Sequence, residues 1–573
     1  MIDKDMKVNK YIGVMMAATL LAASSCTDFD DYNEVPMDVN ATADNTLWEN
    51  ISQNGNLSNF QSIIKKVGFD AALQQSHFYT VWAPLDGTYD ANALLNQDDA
   101  TVLYRFVKSH VAEYNHLVSG SIDERVHALN DKSFLFEGNG TYKYADVDVA
   151  QTNLPSINGV IHTLQGAATF YPNIYEYIFQ REGIDSLEQY FKKYENVYLD
   201  ESNSVVGPTV NGKQTYIDSV MITTNSLYGS LNARIAHEDS SYTMIMPTNE
   251  AWMKAYDKVK PYYNYIQTTI AQDVDAAVSA TSVPSTTVTI DNVYMADSLT
   301  KRSIINNLVF NNNNEYNRWV EDPTAIYTDT LRTTTRNMLS NPQEILAQTK
   351  DKERMSNGYA RIVDSLAILP WEGWAPELVI SPIGRSVTWN GSNHIVQVNN
   401  PDPTKGTFEY GYISYLWVEP TSNYSKPELD IKLPGVLSTT YNLYCVIVPP
   451  NVDPTDTLTE VRPNQLNFDL SYCNEKGALQ QTWTGTNHTT TTSAHFAKQL
   501  VNDTSKVDTM FVGTIKFPIA YLGLGEKMYP NLKITTDFSV FSPLMKTYTR
   551  DLRIAAIILK PVEKDEYQAT KEE

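Results

Sequence analysis

The sequence predicts a multidomain protein in which two α+β modules precede a C-terminal all-β domain. First, 573 residues exceed what one hydrophobic core usually covers, so several domains are expected. Second, one strand-and-turn motif occurs twice before residue 385. Third, from about residue 385 the pattern changes to short strands separated by Pro, Gly and Asn. The predicted boundaries are a signal peptide at 1–25, a tether at 26–39, modules at 40–170 and 172–384, the all-β domain at 385–562 and a charged tail at 563–573.

The chain begins with a pattern typical of an export signal. Lys4, Lys7 and Lys10 lead into an apolar stretch at 11–23, which is too short to cross a bilayer as a stable helix. Small residues then lead to Cys26. This ending resembles a bacterial lipobox, and the resemblance implies that Cys26 becomes the lipidated first residue of the mature protein. An ordinary secretory signal that contains a cysteine is the alternative.

An acidic run follows Cys26 and includes Asp28, Asp30 and Asp31. It resembles the export tag of surface lipoproteins in Bacteroidota. The resemblance implies a lipid-anchored protein on the outer membrane that faces the cell exterior. A plain solvated tether is the alternative reading of the same charges.

The charge balance restricts the possible partners. A net charge of −23 and a pI near 4.8 repel phosphate backbones, so nucleic acid is not an expected partner. No second apolar run in the sequence approaches the length of a membrane span. The lipid on Cys26 is therefore the expected contact with the membrane.

The repeated motif is an apolar strand, a proline, a polar turn and an aromatic residue, at 80–89 and again at 243–252. Proline cannot donate a ladder hydrogen bond, so it ends the strand, and the following Asp or Asn is able to cap the next helix. Asn158-Gly159 and Asn357-Gly358 lie downstream of the two copies, each before alternating apolar residues. Each pair predicts a tight hairpin turn that leads into a strand.

These paired motifs resemble the two signature boxes of the fasciclin domain, a compact α+β module of extracellular adhesion proteins. The resemblance covers 40–170 closely, with His110 and His162 where the family usually has histidines. In that family the histidines belong to structure as much as to binding. The second copy, 172–384, departs from the pattern, since Phe310 and Arg361 stand near the expected histidines and an insertion is expected around 273–292.

The C-terminal part predicts an all-β sandwich. The closing segment, 551–561, resembles the last strand of a jelly roll of the galactose-binding kind. Cys445 lies in an apolar strand, whereas alternation places Cys473 on a polar face, which favours two free thiols and leaves pairing open. The predicted strands are 408–418, 429–433, 441–448, 466–472, 510–517, 532–538 and 552–559.

A Thr- and Ser-rich stretch at 480–495 carries Trp483 and predicts a long loop at one end of the sandwich. Loops of this kind often bind ligands, so Trp483 is the candidate ligand-binding residue. A disordered excursion with an incidental tryptophan is the alternative. The 36 tyrosines of the chain would suit stacking on sugars or docking of proteins, although tyrosine is also a good strand residue.

Motifs for catalysis are absent from the sequence. It contains no His-Glu-x-x-His, no Gly-x-Ser-x-Gly and no phosphate-binding loop, and the nine histidines are scattered. We therefore expect no catalytic residue, no metal site and no cofactor. A glycan hydrolase stays open, because its paired carboxylates are brought together by folding and leave no local spacing.

The sequence thus predicts a non-catalytic surface lipoprotein for binding or adhesion. Its expected ligand is a glycan, a peptide or an extracellular protein. In Bacteroidota such proteins often lie beside outer-membrane nutrient importers, so capture for uptake is the specific form of the prediction. A structural scaffold for adhesion or for an envelope complex is the alternative, and a glycan-active hydrolase is a third.

Overall fold

The computed structural model describes residues 44–206, 209–210, 212–265, 292–320, 330–384, 387–455, 461–475, 479–481, 495–522, 530–536, 538 and 540–572. The chain divides into two compact units. The first contains the chain up to Gln180 together with Ile235–Ser241 and Arg354–Gly358. The second contains the remainder, from Arg181 to Glu573.

The first module is a seven-stranded sheet with helices, and its strand order is β2-β1-β7-β6-β5-β4-β3. Strand β1 pairs in parallel with β7, while β6 and β7 form an antiparallel hairpin. The elements are α1 (Leu47–Gln53), α2 (Ser58–Lys66), β1 (Tyr79–Pro84), α3 (Ala91–Leu95), α4 (Asp99–Arg105), β2 (Val111–Glu113), β3 (Ile122–His127), β4 (Ser133–Asn139), β5 (Thr141–Tyr144), β6 (Val147–Ser156) and β7 (Gly159–Leu164).

Two cores lie on opposite faces of β1, because successive side chains of a strand alternate. Val81 and Ala83 belong to the core that contains α1 and α2. Trp82 belongs to a second core, where its ring stacks on Tyr144 with centroids 4.2 Å apart. Apolar residues recur at helical spacing at Leu47, Trp48 and Ile51 and at Phe60, Ile63 and Ile64, which predicts two helices. The structure confirms them as α1 and α2, with Trp48 partly buried and the other five positions buried.

The predicted Asn-Gly turns are displaced by one residue. The two-residue turn is Ile157-Asn158, and Gly159 is already the first residue of β7. Gly159 has φ +149°, and a Cβ there would lie 1.9 Å from the carbonyl oxygen of Tyr79. Glycine is therefore required at this position by the close approach of β1 and not by the turn.

The second module contains a four-stranded sheet of order β11-β10-β15-β14 and a separate β8-β9 hairpin. As predicted, the repeated strand ends at its proline in both copies, at Pro84 and at Pro247. The elements are α5 (Ile174–Ile178), α6 (Asp185–Lys192), β8 (Glu195–Val206), β9 (Tyr216–Asn225), α7 (Leu227–Leu231), β10 (Tyr242–Pro247), α8 (Asn249–Val259), α9 (Asn292–Ile305), β11 (Val309–Asn311), β12 (Leu331–Arg332), β13 (Met338–Leu339), α10 (Pro342–Ala347), β14 (Thr349–Met355), β15 (Gly358–Val363) and α11 (Pro370–Gly373).

The C-terminal residues form two six-stranded sheets that share one hydrophobic core. One sheet has the order β18-β19-β27-β21-β25, with β16 also paired to β27, and the other has β17-β20-β26-β22-β23, with β24 also paired to β22. The elements are β16 (Leu378–Ile380), β17 (Val387–Asn390), β18 (Ser392–Asn399), β19 (Tyr412–Glu419), β20 (Glu428–Lys432), β21 (Thr440–Ile447), β22 (Gln465–Cys473), β23 (Leu479–Gln481), β24 (Ala497–Val501), β25 (Asp508–Lys516), β26 (Asn531–Thr535), β27 (Leu552–Pro561) and α12 (Val562–Glu572).

Each predicted C-terminal strand overlaps an observed one. The structure adds β16, which pairs with β27 although it precedes the predicted start of the domain at 385. It also places most of the charged tail in α12, where the Glu563 carboxylate accepts a hydrogen bond from the Tyr262 hydroxyl at 2.7 Å. The tail is thus a helix that contacts the second module.

Cys445 and Cys473 form no disulfide, as the sequence favoured, but the predicted position of Cys473 is wrong. Cys473 is fully buried and shares the core with Cys445. The polar residues expected on an exposed face of β22, among them Asp469 and Ser471, are also fully buried. Burial raises the pKa of the Cys473 thiol to about 12, so it stays protonated at neutral pH.

Candidate ligand-binding site

Several predicted site residues lie outside the described part of the chain. These are Cys26, the acidic residues Asp28, Asp30 and Asp31, and Trp483. Lipidation, surface export and ligand binding by these residues remain predictions from the sequence.

His110 and His162, the two histidines that the family pattern marks in the first module, are structural. The His110 Nδ1 lies 2.7 Å from the carbonyl oxygen of Phe106, and its Nε2 accepts the Ala168 N–H at 2.9 Å. The His162 Nε2 lies 2.8 Å from the carbonyl oxygen of His116, and its Nδ1 accepts the Asn153 N–H at 3.3 Å. Since both nitrogens of each ring have backbone partners, neither ring is available to a ligand.

An exposed pair of aromatic side chains stands at one end of the C-terminal sheets. Tyr424 follows β19 and is 75% exposed, and Phe541 follows β26 and is 67% exposed. Their ring centroids are 5.3 Å apart with an interplanar angle of 46°. Large aromatic side chains are usually buried in a hydrophobic core. An aromatic pair that stays exposed to solvent is therefore a candidate ligand-binding surface. We call Tyr424 and Phe541 the aromatic pair.

A buried arginine fixes the loop that carries Tyr424. Arg550 is 6% exposed, and its Nη1 donates to the carbonyl oxygen of Ser425 at 2.6 Å and lies 3.4 Å from those of Ser422 and Asn423. The second loop is joined to the first, because the Val540 N–H donates to the Asn423 carbonyl at 3.1 Å. The rings are therefore held by backbone contacts between segments that lie more than a hundred residues apart in sequence.

Polar groups surround the aromatic pair. Ser422 and Asn423 are exposed beside Tyr424, and Lys546 is exposed on the 3₁₀ turn that follows Phe541. Leu544 adds a third apolar side chain that is 38% exposed. Aromatic faces beside hydroxyl, amide and ammonium groups suit a ligand with one apolar face and many hydroxyls, which is the chemistry of a sugar ring.

A second pair of exposed aromatic side chains, Tyr410 and Tyr412, lacks this construction. Tyr410 and Tyr412 lie at the start of β19, the opposite end from Tyr424, with centroids 6.2 Å apart. They are two residues apart on one segment, so their proximity follows from local sequence alone. Tyr410 is 72% exposed, which makes it a matched control for Tyr424.

Two carboxylates come together in the first unit, but around a lysine. The buried Lys132 Nζ lies 2.6 Å from Glu176 and 3.1 Å from Glu238, and Ser356 donates to Glu238 at 2.8 Å. Glycosidic cleavage needs one free acid and one free base that both reach the substrate. In this group, which we call the Lys132 cluster, the ammonium instead neutralises the acids, and its side chain is only 2% exposed.

No three His, Cys, Asp or Glu side chains within the described ranges form a group able to hold a metal ion. Among the same residues, no helix is long and apolar enough to cross a membrane.

Sequence features could have pointed to the aromatic pair. Tyr424 follows Pro420, Thr421, Ser422 and Asn423, and Phe541 precedes Ser542 and Pro543, so both rings lie in turn-forming sequence without apolar periodicity. No local sequence pattern predicts that the two rings contact each other, because this contact between two loops depends on the sheet topology.

Comparison with known proteins identifies one domain. Residues 55–167 match the fasciclin domain family. This match supports an adhesion-type, non-catalytic role for the first module. No curated protein matches the chain.

Several solved structures are similar to parts of the chain. A FAS1 domain pair from the insect cell adhesion molecule Fasciclin I matches at 12% identity over 56% of this chain and 99% of that chain, with a TM-score of 0.20. CBM32-3 from a family 31 glycoside hydrolase of Clostridium perfringens matches at 9% identity over 30% of this chain and 90% of that chain, with a TM-score of 0.13. A Paenibacillus xanthan lyase matches at 15% identity over 36% and 14% of the two chains, with a TM-score of 0.19. TM-scores this low do not establish a common overall fold.

Proposed function

We propose that this chain is a non-catalytic surface lipoprotein that captures glycan at the aromatic pair. The observation that carries the proposal is that Tyr424 and Phe541 come from two separate loops and remain 75% and 67% exposed. The loops are joined by a backbone hydrogen bond, and Arg550 holds the first of them. A preorganised aromatic surface binds without first losing the conformational entropy of its loops.

The remaining parts of the chain fit this role. Lipid on Cys26 would hold the protein to the outer membrane, and the acidic run at Asp28, Asp30 and Asp31 would direct it to the outer face. The C-terminal sheets would then act as a galactose-binding-like jelly roll, with Trp483 as a further contact. A neighbouring outer-membrane importer would receive the captured glycan.

Single substitutions of the aromatic pair test the proposal. Tyr424→Ala and Phe541→Ala should each weaken oligosaccharide binding about 5- to 150-fold, since stacking on an aromatic ring contributes roughly 1–3 kcal/mol. Calorimetric titration with neutral xylo-, manno-, cello- and galacto-oligosaccharides measures the loss. Thermal melts should stay unchanged, because both side chains are exposed and substitutions at such sites usually change stability by about half a kcal/mol.

Tyr410→Ala is the matched control for this titration. It removes an equally exposed tyrosine from the other end of β19 and should leave binding unchanged. Equal affinities for all three variants and the unmodified chain would show that the aromatic pair is not the binding surface. Absence of binding to every oligosaccharide would refute glycan capture itself.

A bracing role is the second candidate, and the Lys132 cluster favours it. Lys132 lies between β3 and β4, whereas Glu176 lies in α5, Glu238 in the loop before β10 and Ser356 in the β14–β15 turn. One buried ammonium therefore holds four separate segments of the first unit together. Buried ion pairs of this kind fix geometry more than they add stability. Such rigidity would suit a protein that transmits force between a cell and its surroundings.

A further inference from the structure

A cleft of about 360 Å³ lies in the second module between α6, α8 and α9. Its wall is aromatic, with Tyr190, Tyr194 and Trp252 in a continuous series. The Tyr190 ring lies 5.2 Å from that of Tyr194 and 6.2 Å from that of Trp252, centroid to centroid. Tyr190 and Trp252 are only 6% and 3% exposed, so their positions are fixed by packing. These two rings therefore form the packed floor of the cleft, and the partly exposed Tyr194 offers the aromatic surface to a ligand.

The side chains that line the cleft carry more positive than negative charges. The Asp297 carboxylate accepts a hydrogen bond from the Tyr256 hydroxyl at 2.9 Å and one from the Lys301 ammonium at 2.9 Å. Lys301 and Asp297 therefore neutralise each other within α9. Lys193 also lines the cleft, and its Nζ lies 5.6 Å from the ring centroid of Tyr194 and 5.3 Å from that of Tyr294.

The position of Lys193 is unusual for this chain. The protein carries a net charge of −23, yet the cleft contains two ammonium groups and one carboxylate. A locally positive site on an acidic protein attracts an anionic ligand and discriminates against a neutral one.

We propose that this cleft binds an acidic oligosaccharide, with a sugar ring against Tyr194 and its acid group at Lys193. The partly exposed Tyr194 ring supplies the contact for the apolar face of the sugar, and Lys193 forms a charge-assisted hydrogen bond with the anion. Gln189 and Ser186 line the same cleft and provide hydrogen bonds for hydroxyl groups. The anion is a carboxylate in uronic acids and a sulfate in sulfated sugars, and both present the same chemistry to Lys193.

This inference deepens the proposed function, because both sites take glycan, but it concerns other residues and another ligand class. The aromatic pair follows β19 and β26 in the C-terminal sheets, whereas the cleft is built from helices of the second module. A chain with both sites would bind acidic and neutral sugars independently.

Titration of charged and uncharged forms of one sugar tests the inference. The probes are tetragalacturonate, its methyl-esterified form and a chondroitin sulfate tetrasaccharide, with the full chain in the calorimeter. Tetragalacturonate or the sulfated sugar should bind, and the methyl ester should bind at least about tenfold more weakly because it lacks the charge. Comparison of the sulfated probe with desulfated chondroitin tetrasaccharide, which keeps its uronate carboxylates, identifies the anion.

Substitutions of Lys193 assign the charge. Lys193→Gln should weaken binding of the acidic probe by about tenfold, and Lys193→Arg should restore most of it. Lys254→Gln is the matched control, since Lys254 is an exposed lysine on α8 that pairs with Glu250 of the same helix and does not line the cleft. All three variants should melt like the unmodified chain, which excludes a structural cause.

The outcomes separate the two proposals. A Tyr424→Ala/Phe541→Ala double variant that still binds the acidic probe supports a distinct site in the cleft. Loss of acidic binding in that variant would place the ligand on the aromatic pair and overturn the inference while leaving the proposed function intact. Equal binding of the methyl ester, unchanged binding by Lys193→Gln, or no binding of either acidic probe would also overturn it.

Discussion

Burial fixes the charge of two histidines in the first module. Desolvation lowers the pKa of His110 to about 4, against the effect of its hydrogen bond to the Phe106 carbonyl. Desolvation likewise lowers the pKa of His162 to about 4, although the hydrogen bond to the His116 carbonyl opposes it. Both rings are therefore neutral at physiological pH, where each donates one hydrogen bond and accepts another.

This burial predicts how stability changes with pH. In the unfolded chain each histidine has a pKa near 6.5 and binds a proton that the folded module excludes. Stability is therefore full above about pH 6.5 and falls as the pH drops toward about 4, by roughly 3 kcal/mol for each histidine. Urea unfolding at about pH 7.5 and about pH 5, followed through hydrogen exchange of β7, measures the fall.

His162→Gln should make this pH dependence smaller by the contribution of one histidine, even though the variant is less stable overall. His127 is exposed, so His127→Gln should leave the pH dependence unchanged. The same fall in stability in His162→Gln as in the unmodified module would contradict the assignment.

For single residues, the sequence predicted which residues are distinctive better than it predicted the role of each. His110 and His162 were recognised from a family pattern, but their neutrality depends on complete burial, which no local spacing reveals. For Cys473, the sequence predicted the wrong surroundings. Alternation placed it among polar residues, and the structure buries those residues together with it in a strand that is paired along both edges, with β24 and with β26.

Among the structural elements, the two modules share anchors that hold helices to strands. The Asp86 carboxylate accepts the N–H groups of Ser58 and Asn59 at 2.9 Å, and the Asn249 Oδ1 accepts the Ser186 N–H at 2.9 Å. The predicted cap was therefore assigned to the wrong helix. Asp86 caps α2 and Asn249 caps α6, both of which come earlier in the chain, because the strand ends beside the start of that helix. Thr248 caps the next helix, α8.

The asparagines of the Asn-Gly pairs are a second shared anchor. The Asn158 Oδ1 accepts the Leu47 N–H at 2.8 Å, and its Nδ2 donates to the carbonyls of Leu73 and Gln75. In the second copy, Asn357 accepts the Ile174 N–H at 3.0 Å and donates to the carbonyls of Ile235 and His237. Each asparagine thus joins the first turn of a helix to the segment before the central strand.

Removing this anchor should destabilise the first module. Asn158→Ala leaves one N–H group and two carbonyl groups without their partner, two of these hydrogen bonds being buried, and should cost roughly 3 kcal/mol of unfolding free energy. Asn139→Ala, at an exposed position at the end of β4, should change stability by about half a kcal/mol or less. Equal urea midpoints for the two variants would show that the asparagine network is not an anchor.

The existence and order of the helices and strands could be predicted from the sequence, because strand alternation and helical spacing are local patterns. The long-range contacts of these elements could not be predicted in this way. The sequence marked Asn158-Gly159 as a turn, whereas the need for glycine arises from the carbonyl of Tyr79, eighty residues earlier in the chain.

For the whole molecule, the second unit joins helices, strands and the C-terminal segment. Strand β16 pairs with β27, and the Lys564 ammonium of α12 lies 3.0 Å from the Glu377 carboxylate. The sequence separated these parts at residue 385 because the periodicity changes there. Pairing between distant strands crosses that boundary, so most of the second module and the sheets form one compact unit, whereas 172–180, 235–241 and 354–358 belong to the first.

The central claim is that a lipid-anchored chain captures glycan through the aromatic pair. It is tested most directly on cells, because anchor and site then act together. Retention of a fluorescent oligosaccharide, the tightest binder in the neutral titration, is compared among cells that display the unmodified chain, Cys26→Ser, Tyr424→Ala/Phe541→Ala or Tyr410→Ala.

We expect the unmodified chain and Tyr410→Ala to retain the oligosaccharide equally. Cys26→Ser should lose retention because the protein leaves the membrane, as its appearance in the soluble fraction would show. Tyr424→Ala/Phe541→Ala should remain on the cell and lose retention because the stacking surface is gone. Undiminished retention by the double variant, at equal surface abundance, would contradict the account.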